Sequence, residues 1–188
     1  MSDAFSQNKT RSGKALSYCC INSTFAVVFG LAMFTLGKKE CYTTKSSNTP
    51  VDPNLVPDAV DVNGWFNGAI VMGFFFYSLA AVASLGYMAK QPMIQAYATP
   101  VEKVARFLTY FVFILVHVIR LCHTGRVCSG DYLPDGASDE DVDGYMIAAG
   151  WFFMMYIVLG WIMVPLLLII MVCIKGDAWA ALALDAPK

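Results

Sequence analysis

The sequence predicts an all-α membrane protein: a four-transmembrane-helix antiparallel bundle with both termini on the same, cytoplasmic side. Two observations predict it. Four long apolar stretches, at roughly 16–36, 65–89, 104–121 and 145–174, match the length of about 20 apolar residues that one bilayer crossing takes. Composition agrees, since 57% of the chain is hydrophobic and 14% charged, against about 25% charged in soluble domains. Too little polar sequence remains for an independent water-soluble domain. The chain 1–188 therefore reads as a single transmembrane domain, with outer loops at 37–64 and 122–144.

The first span, Leu16–Leu36, follows Lys9, Arg11 and Lys14 but exceeds the about 7–15 apolar residues of a secretory signal, so it reads as a signal anchor. It stops at Gly37-Lys38-Lys39. The loop beyond carries Pro50, Pro53 and Pro57, a spacing that favours an extended strap across the outer face over a helix. The second span opens Gly64-Trp65-Phe66-Asn67-Gly68. Gly64 with Gly68, and Ala80 with Ser84, are small residues four apart that let helix backbones approach, and we assign both pairs to packing inside the bundle.

The short segment Lys90–Lys103 turns the chain into an antiparallel hairpin. Within it Thr99-Pro100-Val101-Glu102 has the form of a helix start, with Thr99 as N-cap, Pro100 at the first helical position and Glu102 at the third. The third span is Val104–Leu121. The fourth apolar segment, Tyr145–Ile174, would be about 45 Å long as a helix, against a hydrocarbon core of about 30 Å. It is expected to kink at Pro165 and to project outward over Tyr145–Ala149 as a stalk, with Ala178–Leu184 at the inner interface.

Charge orients the bundle. The tails and the middle loop carry eight Lys and Arg, the two outer loops five, which places the termini in the cytoplasm. The N-x-[ST] sequons at Asn8 and Asn22 then fall on the inner side and are expected to be unused.

His117 and Arg120 are the polar groups at membrane depth, three residues apart on one helical face. Such groups raise the prospect of an ion path or a partner carboxylate. The simpler expectation is that Arg120 snorkels to the headgroups and that His117 bonds to a nearby backbone or hydroxyl oxygen. The acidic outer loop offers Asp131, Asp135, Asp139, Asp141 and Asp143 as calcium candidates. Aligned on an EF-hand loop from Asp131, Leu133 and Val142 fall on two essential ligand positions, so a solvated acidic loop is the preferred reading and no metal site is assigned.

Of six cysteines, Cys41, Cys122 and Cys128 fall on the outer side, where disulfides form in an oxidising compartment. Cys122–Cys128 would close a tight turn, whereas a bridge from Cys41 would tie the two loops together; the third thiol could join protomers. Cys19, Cys20 and Cys173 lie near the inner side and suit S-palmitoylation, or are buried inert thiols.

No nucleophile with a base at recognisable spacing and no Gly-rich phosphate loop occurs, so an enzyme is not expected, nor a cofactor. With a net charge of −1 and no basic run, neither is a nucleic-acid partner. Four spans with inner termini and outer cysteines resemble the tetraspan class that includes MARVEL-domain and claudin-like proteins. The resemblance covers the chain as topology and not as motif, because the first outer loop has one cysteine, Cys41, and lacks the tryptophan and paired cysteines of claudins. It implies a protein that organises the bilayer or assembles side by side; separately, the expected location is the plasma membrane or an endomembrane. The functional expectation is a scaffold that self-associates laterally, with the bilayer, copies of itself and other membrane proteins as partners. The alternative is an oligomeric channel or an accessory subunit of a larger complex.

Overall fold

In the fold, helix dominates. The computed structural model describes residues 2–36, 39–89, 91–134, 137 and 144–184; along 2–14, at 164 and along 167–184 it describes the backbone alone. The order is α1 (Ser2–Thr35), β1 (Tyr42–Thr43), β2 (Val60–Asp61), α2 (Val62–Met88), α3 (Pro92–Leu121), α4 (His123–Cys128) and α5 (Ile147–Leu184). Among the described residues three helices are long and apolar enough to cross a membrane: Ala15–Thr35 within α1, then α2 and α3. They point to an integral membrane protein. The described apolar part of α5, Ile147–Met163, is shorter than these three.

The chain divides into two compact units, Met1–Phe153 and Met154–Lys188. The second is the continuation of α5, helical to Leu184 with Pro165 inside the helix. In the first unit α2 packs between α1 and α3. Phe29 of α1 lies over Gly73 of α2, where a Cβ would come within 2.4 Å of its ring, and Gly30 lies against Phe74. Here glycine is what lets the two backbones approach. Phe29 is fully buried; it stacks on Tyr77 with centroids 5.7 Å apart and meets Phe152 edge-on at 5.3 Å. Phe66 meets Phe153 at 4.8 Å. At the other end of the hairpin Gly86 of α2 faces Ala98 of α3. Toward the same end Arg106, paired with Glu102, lies over the Tyr18 ring of α1 at 4.5 Å.

Several expectations are corrected. α2 begins at Val62, not Trp65, because Asp61 caps it: its Oδ1 accepts from the Gly64 N–H at 3.0 Å. A Cβ on Gly64 would fall 2.9 Å from the other oxygen of that carboxylate, and around Gly68 nothing lies within 4 Å. Gly64 and Gly68 thus seat a cap and leave open space instead of receiving a helix. Ala80 and Ser84 are both buried, with the Ser84 hydroxyl donating to the Ala80 carbonyl at 2.9 Å.

α3 begins at Pro92, eight residues before Pro100. Pro92 itself takes the favoured early position, Gln91 is the N-cap, and the Gln95 side chain closes the turn onto the Ala89 carbonyl at 2.6 Å. Thr99 sits inside the helix and donates to the Gln95 carbonyl, while Pro100 gives up a single backbone bond. Tyr145–Ala149 do not stand out as a stalk: Tyr145, Met146 and Ala149 are buried, and the Met146 N–H donates to the Cys128 carbonyl at 2.7 Å.

Candidate functional site

The richest polar chemistry gathers where the α2–α3 hairpin meets the loop before β2 and the loop after α4. At the end of α3 the chain turns sharply into α4, so sharply that a Cβ on Gly125 would sit 1.7 Å from the Ile119 carbonyl oxygen. Only glycine fits there. Cys122 caps α4, its sulfur accepting from the Gly125 N–H at 3.4 Å. The loop between α1 and α2 returns through the two-stranded antiparallel pair, Tyr42 opposite Asp61 and Thr43 opposite Val60. Cys41, just before β1, is bridged to Cys128 at the end of α4. A second tie runs beside the bridge: His123 Nε2 donates to the Ser47 carbonyl at 2.9 Å, and its other nitrogen accepts from the Tyr132 hydroxyl at 3.4 Å. The proline-bearing loop is therefore fastened to the α4 segment and the loop after it by the disulfide and by the His123–Ser47 hydrogen bond. The bridge resolves the choice left open by the sequence in favour of the loop-to-loop pairing and leaves Cys122 a free thiol.

Arg120 corrects a further expectation. It does not snorkel outward; it is 7% exposed and turned into the cap that α4 and the two disulfide-joined loops form. Its Nε donates to the Gly150 carbonyl at 3.0 Å, and its two terminal nitrogens hold Asp131 in a bidentate pair at 2.9 and 2.7 Å. A planar guanidinium meeting a carboxylate in this fork is among the stronger polar contacts available to a protein, and it is favoured over solvation by lipid headgroups once Asp131 is within reach. Arg126 adds a third contact to Asp131 at 3.3 Å and lies over the Tyr132 ring. The hydrogen bond from Arg120, with the charges of both arginines behind it, holds the Asp131 carboxyl below its ordinary value of 3.8 against the opposing pull of partial burial. Both oxygens of Asp131 thereby accept hydrogen bonds from arginine. Asp135, Asp139, Asp141 and Asp143 lie outside the described residues. Among the described residues no three His, Cys, Asp or Glu side chains converge as metal ligands.

Below the cap, α2 and α3 part to leave a groove of about 680 Å³. Trp65, Gly68 and Met72 form one wall and Leu115 and Val118 the other; Cys122, His123 and Lys45 stand at the cap end. Gly68 is the cause of the space, since a side chain there would fill it. The Cys122 thiol donates to the Ile119 carbonyl at 3.1 Å.

The remaining residues of interest are scattered. His117 Nδ1 donates to the Phe113 carbonyl one turn back at 2.7 Å, with the two rings edge to face. Cys19 is buried against Ser23, whereas Cys20 is exposed. Cys173 lies on α5, its side chain outside the described residues. Asp131, Arg120 and the Cys41–Cys128 bridge come together in the cap; His117, Cys19 and Cys20 do not join them. Two participants had no part in the sequence expectations. For His123 nothing in the local sequence signals a partner 76 positions away. Ser129 packs against Gly150, where a Cβ would come within 2.4 Å of its hydroxyl, and among the described residues its Oγ is the buried side-chain oxygen left without a partner. No family model, no curated protein and no solved structure matches this chain.

Proposed function

We propose that the chain is a four-span structural protein that associates laterally with copies of itself and organises the membrane it occupies. In this reading α1, α2, α3 and the apolar part of α5 are the spans, the disulfide-bearing cap faces the oxidising, outer side, and both termini are cytoplasmic. The membrane is the plasma membrane or an endomembrane. The observation that carries the reading is how the polar groups are used: Arg120 closes on Asp131 and Gly150, and His117 on a carbonyl of its own helix. A channel needs such groups turned toward water, whereas a scaffold needs them turned into the fold. Large apolar side chains meanwhile stay outside on all three long helices, among them Leu31, Phe34, Phe75, Val82, Phe107 and Ile114. These are surfaces for lipid and for neighbouring copies.

The test is the mass of the protein extracted in mild detergent, with and without reductant. A homogeneous homo-oligomer is expected, with the same chain count in both conditions, because Cys41 and Cys128 are joined within one chain. A monomer, or a fixed complex with other chains, would sink self-assembly and move the reading to an accessory subunit.

A further inference from the structure

We propose that the groove between α2 and α3 is a binding site for one phospholipid with an anionic headgroup, taken from the leaflet that the cap faces. The proposal rests on the chain spanning a membrane but not on its self-association. The groove has the form of an amphiphile. Its walls are the side chains of Trp65, Met72, Leu115 and Val118, with the bare backbone of Gly68 as the floor, and its volume of about 680 Å³ lies within the about 300–1,000 Å³ of ligand clefts. From Gly64 to Met72 the α2 wall runs about 12 Å at 1.5 Å per residue, enough to hold the upper part of an acyl chain. Trp65 and Val118 are exposed at its rim, so a chain can enter sideways from the bilayer.

The cap end is different in kind. Lys45 is exposed at the mouth, and no carboxylate pairs with it among the described residues. The other polar groups there are occupied: His123 by Ser47 and Tyr132, Cys122 by the Ile119 carbonyl. A cation with no carboxylate partner among the described residues, above an apolar trough, complements a phosphate above a hydrocarbon chain. A single phospholipid matches the apolar trough and the cation at once, which is why the lipid is the occupant chosen here and a second copy is an outcome of the test.

The experiment is native mass spectrometry of the full chain in mild detergent with added dioleoyl phosphatidylglycerol or dioleoyl phosphatidylcholine. Wild type is expected to retain one lipid per chain, with about fivefold preference for phosphatidylglycerol, the preference that one lysine at a membrane surface supports. Lys45→Glu is expected to abolish the preference while keeping phosphatidylcholine. Gly68→Leu, whose side chain would enter open space, is expected to lose at least tenfold of both lipids, and Leu115→Trp to do the same from the facing wall. A disulfide still present on a non-reducing gel and unchanged helicity establish that each variant is folded. Equal retention of the two lipids by wild type, or full retention by both filled variants, would overturn the proposal. So would loss of oligomer without loss of lipid in Gly68→Leu, which would make a second copy the occupant. Lipid adducts and chain number are read in the same spectrum, so failure here and failure of self-association are told apart.

Discussion

Asp131 is the residue on which the cap closes, because three donors from Arg120 and Arg126 converge on it. Asp131→Asn keeps the shape and removes the charge. It leaves a buried guanidinium facing a neutral amide, and a cost of about 2–3 kcal/mol is expected. Arg120→Met combined with Asp131→Leu is expected to cost less than either change alone, since no orphaned charge remains. Thermal unfolding of wild type, Asp131→Asn, the two single variants Arg120→Met and Asp131→Leu, and their double, in detergent at pH 7, checks this. The pH dependence has a definite sign. The Asp131 carboxyl is held below its ordinary 3.8, so its contribution is fully present above that value and is lost as pH falls through the lower folded one. The unfolding midpoint of wild type relative to Asp131→Asn should therefore be constant from pH 7 to about 5 and converge below about 4. Five aspartates in the acidic loop looked alike in sequence. Nothing local singles out the one that a guanidinium eleven residues away selects through the intervening α4.

Two glycines on α2 make opposite predictions for the same substitution. At Gly73 a methyl group would meet the Phe29 ring at 2.4–2.5 Å, and Phe29 is itself held by Tyr77 and Phe152. Gly73→Ala is expected to cost about 1–3 kcal/mol through overpacking. At Gly68 nothing lies within 4 Å, and Gly68→Ala is expected to be neutral or to stabilise by up to about 1 kcal/mol through helix propensity. Unfolding midpoints of the pair measured side by side decide it; equal effects would mean that α1 does not rest on Gly73. The existence of the apolar helices was legible because a bilayer imposes length and polarity on a continuous stretch of sequence. Their ends were not. Asp61 moved the start of α2 forward by capping, and Pro92 competed successfully with Pro100 for the start of α3. Small residues at spacing four were visible in several places, but whether each meets a ring, a carboxylate or nothing depends on the neighbouring helix.

For the molecule as a whole, the bridge between Cys41 and Cys128 closes a loop of 87 residues. In a soluble chain that closure removes unfolded-state entropy worth about 4–5 kcal/mol; inserted helices are already confined, so this is an upper bound. Replacing both cysteines by serine is expected to lower the unfolding midpoint within that bound and to leave the oligomer mass unchanged. Loss of the oligomer would instead make the cap the contact between copies. The sequence left all three pairings of Cys41, Cys122 and Cys128 open, since the choice depends on where β1 and α4 come to rest, and neither two-residue strand nor six-residue helix leaves a periodic trace.

The position of that bridge also bears on how the protein is made. The ring it closes contains all of α2, the short connector and all of α3. With both helices crossing, Cys128 reaches the compartment of Cys41 only after the hairpin has been threaded out and back. Oxidation therefore cannot precede insertion of the pair, and the bond becomes a covalent record that the hairpin has been delivered in full. A protease cut in the connector at Ala89–Gln91 should give two pieces that travel together until a reductant parts them.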